Sequence, residues 1–142
     1  MYRHILIPTD GSELSEHGVA QGLALAKSLG AKVSVIFVVE PFSKMSGQLR
    51  DAVAKYAALR KEQATSALDR AANAAKEAGV SCEPIQVENG QPHQAIIAAA
   101  ENKGCDLIVM SSHGRSGLSM LLIGSVTNKV LAQAKTPVLI CP

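Results

Sequence analysis

The chain has 142 residues, 47% of them apolar and 18% charged, with a formal net charge of +2. That length and balance describe one globular domain over 1–142 with an ordinary core, and they exclude a disordered or low-complexity chain. The small charge and a 3% aromatic content argue against nucleic-acid binding, which draws on clustered basic residues and stacking rings.

"HILIPTD" (4–10) is a short aliphatic run that ends in Pro, Asp and Gly, the pattern of a buried strand and its turn. Ser12 is positioned to cap a helix in which Leu14, Val19, Leu23, Ala24 and Leu29 recur at near-helical spacing, with Gly30 as its stop. "AKVSVIFVVE" (31–40) is β-branched and continuous, as in a strand covered on both faces. Residues 41–50 hold Pro and Gly and read as a loop, a candidate lid. The Ala-, Lys- and Glu-rich stretch 51–79 is a long helix closed by Gly79. The stretch 80–88 is a weaker strand whose Pro84 assigns it to an edge. A helix over 91–104 starts near Pro92 and stops at Gly104, and "CDLIVMS" (105–111) is another buried strand. A helix over 125–135 and a strand over 136–142 complete the chain.

Strands separated by helix-length crossovers require a mostly parallel sheet with helices on both faces. The expected fold is a single doubly wound, open five-stranded α/β domain. Ligands in such sheets sit beyond the carboxyl ends of the strands, where strand order reverses. The reversal is expected between the first and fourth strands, which sets "PTDGS" (8–12) opposite "MSSHG" (110–114).

No stretch approaches the roughly 20 apolar residues of a bilayer span, and "MYRHILIPTDGSE" lacks a secretory pattern. Cys82, Cys105 and Cys141 are far apart in apolar contexts, which fits reduced, buried thiols rather than a disulfide or metal site. A cytoplasmic protein without a membrane segment is expected. His4, His17 and His93 read as surface or helix-end residues, and His113 has no second ligand at metal spacing.

The stretch "SSHGRSGLSMLLIGS" (111–125) carries no Walker lysine, no dinucleotide fingerprint and no hydrolase elbow. From the residues alone it is either a small-residue loop whose Ser125 caps a helix, or a cradle for an anion. In the second case Gly114 and Gly124 let backbone N–H groups approach the ligand.

"ILIPTDGS" and "LIVMSSHGRSGLSMLLIGSVTNKVLAQAKTPVLI" resemble the universal stress protein family over nearly the whole chain. Nucleotide-binding members carry G-x-x-G, nine residues, then G followed by Ser or Thr. Here Ser111-x-x-Gly114, residues 115–123 and Gly124-Ser125 match it, with Ser in the first position.

The resemblance implies binding of ATP or a related adenine nucleotide, with Mg²⁺ bridging phosphate oxygens. It places Asp10 on the ribose or adenosine, with Pro8 and Thr9 beside it. Val38 would meet the adenine, and Met110 and Ser111 would close the other side of the nucleoside. His113, Gly114 and Arg115 would surround the phosphates, with Gly124, Ser125, Val126 and Thr127 at the helix start. A homodimer through 136–141 is also implied. A nucleotide-independent dimeric module and a slow ATPase are the alternatives.

Overall fold

The computed structural model describes residues 1–41, 50–114 and 123–142. Five parallel strands form one sheet: β1 (His4–Pro8), β2 (Lys32–Val39), β3 (Cys82–Glu88), β4 (Leu107–Ser111) and β5 (Val138–Cys141), in the order β3-β2-β1-β4-β5. The helices among the described residues are α1 (Glu13–Leu29), α2 (Arg50–Ala78), α3 (Pro92–Lys103) and α4 (Ser125–Gln133). The doubly wound α/β fold expected from the alternation is therefore the fold observed. None of the helices is long and apolar enough to cross a membrane among the described residues.

Successive strand residues point to opposite faces, so β1 feeds two cores. Ile5 and Ile7 pack with Val19, Leu23, Val35, Phe37 and the alanines of α2, while Leu6 joins Ile36, Ile96, Ile108 and Val130 on the other face. Helices α1 and α2 thus cover one face, and α3 and α4 the other. The dipeptide near the middle of β2, Ile36-Phe37, is fully buried on both sides, as a continuous β-branched run demands. β3 lies at the edge, where Pro84 pairs with Val35 and its missing N–H faces no further strand.

Glycines end three helices as the sequence indicates: Gly30, Gly79 and Gly104 all have positive φ. Inside α1, glycine serves packing. A Cβ at Gly22 would overlap the Ile7 side chain, and one at Gly18 would lie 3.3 Å from the Ser111 nitrogen. The helix therefore sits directly on β1 and β4. Of the three thiols, Cys105 and Cys141 are buried and Cys82 only partly so. Burial raises all three thiol pKa values, that of Cys105 to about 11, which leaves them little thiolate character at neutral pH.

His4 departs from the sequence expectation, and His93 meets it in its place at a helix end but not at the surface. His93 lies in the first turn of α3 but is buried, and His4 is buried at the start of β1 with Nε2 2.8 Å from Ser34 Oγ. A residue at the head of a central strand is covered by its neighbours whatever its polarity. Burial, and then the Lys32 charge, lower the His4 pKa from its usual 6.5. The unfolded chain consequently takes up this proton more readily, so stability is present above that value and falls as pH drops below it. Thermal unfolding should show the midpoint declining from pH 7 to pH 5. His4→Gln, which keeps a hydrogen bond to Ser34 without titrating, should flatten that decline; an unchanged slope would show that another group is responsible.

Candidate functional site

At the carboxyl ends of β1, β2 and β4 a cleft of ≈ 230 Å³ opens. Its first wall is the turn after β1. Thr9 extends the ladder by donating its N–H to Ile36 O at 2.9 Å. Its hydroxyl lies 3.0 Å from Ser15 Oγ and accepts the Gly11 N–H. Gly11 has φ 80, a left-handed conformation that a side chain would strain. Asp10 Oδ1 accepts the Ser12 N–H at 3.0 Å, and Ser12 Oγ caps α1 by accepting from Ser15 N. This interlocked turn points Asp10 across the cleft: a Cβ at Gly114 would overlap Asp10 Oδ2.

The opposite wall starts where β4 ends. Ser111 Oγ donates to His113 O at 2.6 Å, and Thr127 Oγ1 donates to Ser111 O at 3.0 Å. Ser112 N donates to Cys141 O, and Gly124 N donates to Ser112 O at 2.7 Å. A Cβ on Gly124 would stand 3.2 Å from that carbonyl and 3.4 Å from His113 Cα, so the two ends of the connection touch backbone to backbone. His113 is buried, with Nδ1 2.9 Å from Ser112 Oγ. Its buried Nε2 has no hydrogen-bond partner among the described residues.

The cap of α4 differs from expectation. Gly124, in extended conformation, is the N-cap and offers no side chain; Ser125 is one residue further in and exposed. The reason is that the Gly124 carbonyl already accepts the Asn128 N–H at 2.9 Å, which starts the helix there. The first-turn N–H groups, which have no intrahelical acceptor, therefore lie at the cleft without a side-chain cap among the described residues.

Of the residues singled out in the sequence, Pro8, Thr9, Asp10, Val38, Met110, His113, Gly114, Gly124, Ser125, Val126 and Thr127 all line this cleft. Ser111 does not; it is buried beneath the wall and supports it from below. No described non-glycine residue has positive φ, so Ser111 sits where a side chain is accommodated without strain. Arg115, with 116–122 of the same connection and 42–49 of the candidate lid, lies outside the described residues.

Four further lining residues escaped the sequence reading, Ile36, Arg60, Pro92 and Ile96, while Glu40, which stands after the second strand where a dinucleotide fold carries a ribose-binding acid, also lines the cleft. Ile36 and Glu40 follow from Val38 by the two-residue strand period. Pro92 and Ile96 share one side of α3 at i, i+4 spacing. Arg60 had no signal, because an Arg within a Lys- and Glu-rich helix looks solvated, yet it is 3% exposed.

The cleft is thus two-sided. Ile36, Val38, Pro92, Ile96 and Met110 form an apolar slot on the α3 face, suited to a flat apolar group. Asp10, His113, Gly114 and the start of α4 form a polar half suited to hydroxyls and an anion. Among the described residues no three His, Cys, Asp or Glu side chains gather as a metal site.

A family model described as the universal stress protein family matches residues 1–142. A universal stress protein of Methanocaldococcus jannaschii is 35% identical over 140 residues, covering 99% of this chain and 82% of its own. The universal stress protein YxiE of Bacillus subtilis is 32% identical, with 99% of each chain covered. Among solved structures, a universal stress protein in complex with cAMP superposes with a TM-score of 0.74 at 29% identity, covering 99% of this chain and 97% of that one.

The closeness of the two walls is testable without a ligand. Gly114→Ala must displace Asp10 or the wall, and should destabilise by about 1–3 kcal/mol, the usual range for overpacking. Gly90→Ala, where an added Cβ meets open space, should change stability by no more than about 0.5 kcal/mol. Urea denaturation compares the two; equal midpoints would mean that the walls do not touch as described.

Proposed function

We propose that this chain, which belongs to the universal stress protein family, binds ATP or a related adenine nucleotide in the cleft and acts as a nucleotide-linked signalling or partner-binding module in the cytoplasm. The observation that carries this reading is the joining of an apolar slot to a helix start that has no side-chain cap among the described residues, across one cleft. The adenine occupies the slot against Val38 and Met110, and Asp10 accepts a hydrogen bond from a ribose hydroxyl. The phosphates run to Gly114, His113 and the first turn of α4, where each helix-end interaction favours an anion by about 0.3–1 kcal/mol. His113 Nε2, buried beside them, gains a partner when it donates to a phosphate oxygen. Arg115 adds its charge there. Mg²⁺ is held chiefly through phosphate oxygens, as hard cations commonly are. The relative solved with cAMP supports an adenine nucleotide as the ligand class.

The reading includes a homodimer through β5. That strand is the last in the sheet order, and Leu139 on it is 45% exposed, with Leu131 of α4 at 42%. An unpaired edge with exposed apolar side chains invites pairing with a second copy.

Calorimetric titration with MgATP tests the nucleotide. Gly124→Val, which blocks the wall, and Asp10→Ala, which removes the ribose contact, should each weaken binding by about tenfold or more, the worth of one good charged hydrogen bond. Unchanged affinity in both would place the site elsewhere. For the dimer, light scattering of Leu139→Glu should report a monomer at concentrations where the parent protein is dimeric; a persistent dimer would move the interface off β5.

A further inference from the structure

One buried cation stands in the cleft wall outside the glycine-serine stretch. Arg60 of α2 lines the cleft together with Asp10 and Glu40. Its guanidinium carbon lies 5.1 Å from the centroid of the Phe37 ring, and Nη1 donates to the Gln63 side-chain oxygen. Phe37 in turn reaches the turn after β1, since a Cβ on Gly11 would be 3.6 Å from the ring edge. These contacts set the guanidinium beside the turn that carries Asp10, on the α1–α2 face of the sheet. The start of α4 belongs to the other face. The cleft therefore has two anion-attracting places, one at His113 and the start of α4 and one at Arg60.

Stacking and the Gln63 bond hold the planar fork in one orientation, so little side-chain freedom remains to be lost on binding. Asp10 and Glu40 repel a phosphate brought to this end of the cleft. Arg60, the sole Lys or Arg lining it among the described residues, offsets that repulsion and matches phosphate oxygens in a bidentate geometry.

We propose that Arg60 is a specificity-determining residue that lets the cleft take adenine nucleotides bearing a phosphate on the 3′ side of the ribose. The proposal rests on the reading of the cleft as an adenine-nucleotide site with Asp10 at the ribose. A 5′-phosphate leads toward His113 and the start of α4 on the α3–α4 face, whereas a 3′-phosphate turns to the α1–α2 side of Asp10, where Arg60 is the cation lining the cleft among the described residues.

The two isomers 3′-AMP and 5′-AMP carry the same charge and separate the two places. Calorimetry on the full chain should show Arg60→Met weakening 3′-AMP by about tenfold or more. It should change 5′-AMP by less than about threefold, the residual effect of a charge across the cleft, and leave adenosine unchanged. Arg60→Lys should recover part of the 3′-AMP affinity, and Arg60→Gln serves if Arg60→Met does not fold. Equal losses for all three ligands would make Arg60 a structural support and overturn the proposal, as would unchanged 3′-AMP affinity. If the parent protein binds adenosine and 5′-AMP but not 3′-AMP, this proposal alone falls. If it binds none of the three at millimolar concentration, the nucleotide reading falls with it.

Discussion

After β1 the chain turns onto one face of the sheet, and after β4 it leaves for the other. Because β1 and β4 are neighbours, this divergence leaves a gap at their carboxyl ends that neither following helix can fill. The cleft is a direct consequence of that arrangement. Its depth comes from the sheet itself, since Ile36 and Val38 line it on the β2 side and Met110 on the β4 side.

What keeps the gap narrow is contact between the two walls. Gly114 lies against Asp10, and Gly124 lies against the Ser112 and His113 backbone. Both glycines are required by close approach and neither by positive φ. The wall from β4 is braced from within by Ser111 and Thr127, whose hydroxyls satisfy carbonyls that strand pairing leaves open. α1 reinforces it from behind, because Gly18 allows the helix to touch Ser111. A Ser at the first position of the glycine motif is therefore part of the brace, and its side chain is spent on backbone support beneath the cleft.

Charge is distributed across the cleft with equal economy. Two acids and one buried Arg occupy the β1–β2 end, while the β4–α4 end relies on helix N–H groups and His113. Partial charges on fixed backbone groups hold an anion without a cation that would need its own desolvation. At the other end Arg60 is kept in place by Phe37 and Gln63, neutral groups that orient it. A site built this way accommodates a ligand with an apolar ring, hydroxyls and phosphate at separate points.

The sequence by itself determined the alternation of strands and helices, the helix stops at Gly30, Gly79 and Gly104, the edge position of the strand with Pro84, and the two segments that face each other across the cleft. These are local or periodic properties: β-branched runs, helical spacing and turn residues act over a few residues, and the crossover rule converts their order into a sheet. The family spacing from Ser111 to Ser125 was legible for the same reason. Only the tertiary structure decided the rest. The burial of His4 and His93, the capping of α4 by Gly124 in place of Ser125, the apolar slot completed by Pro92 and Ile96, and the burial of Arg60 on Phe37 each depend on which elements meet. Side-chain burial is set by neighbours distant in the chain, and no local pattern in a charged helix distinguishes an arginine facing water from one facing a cleft.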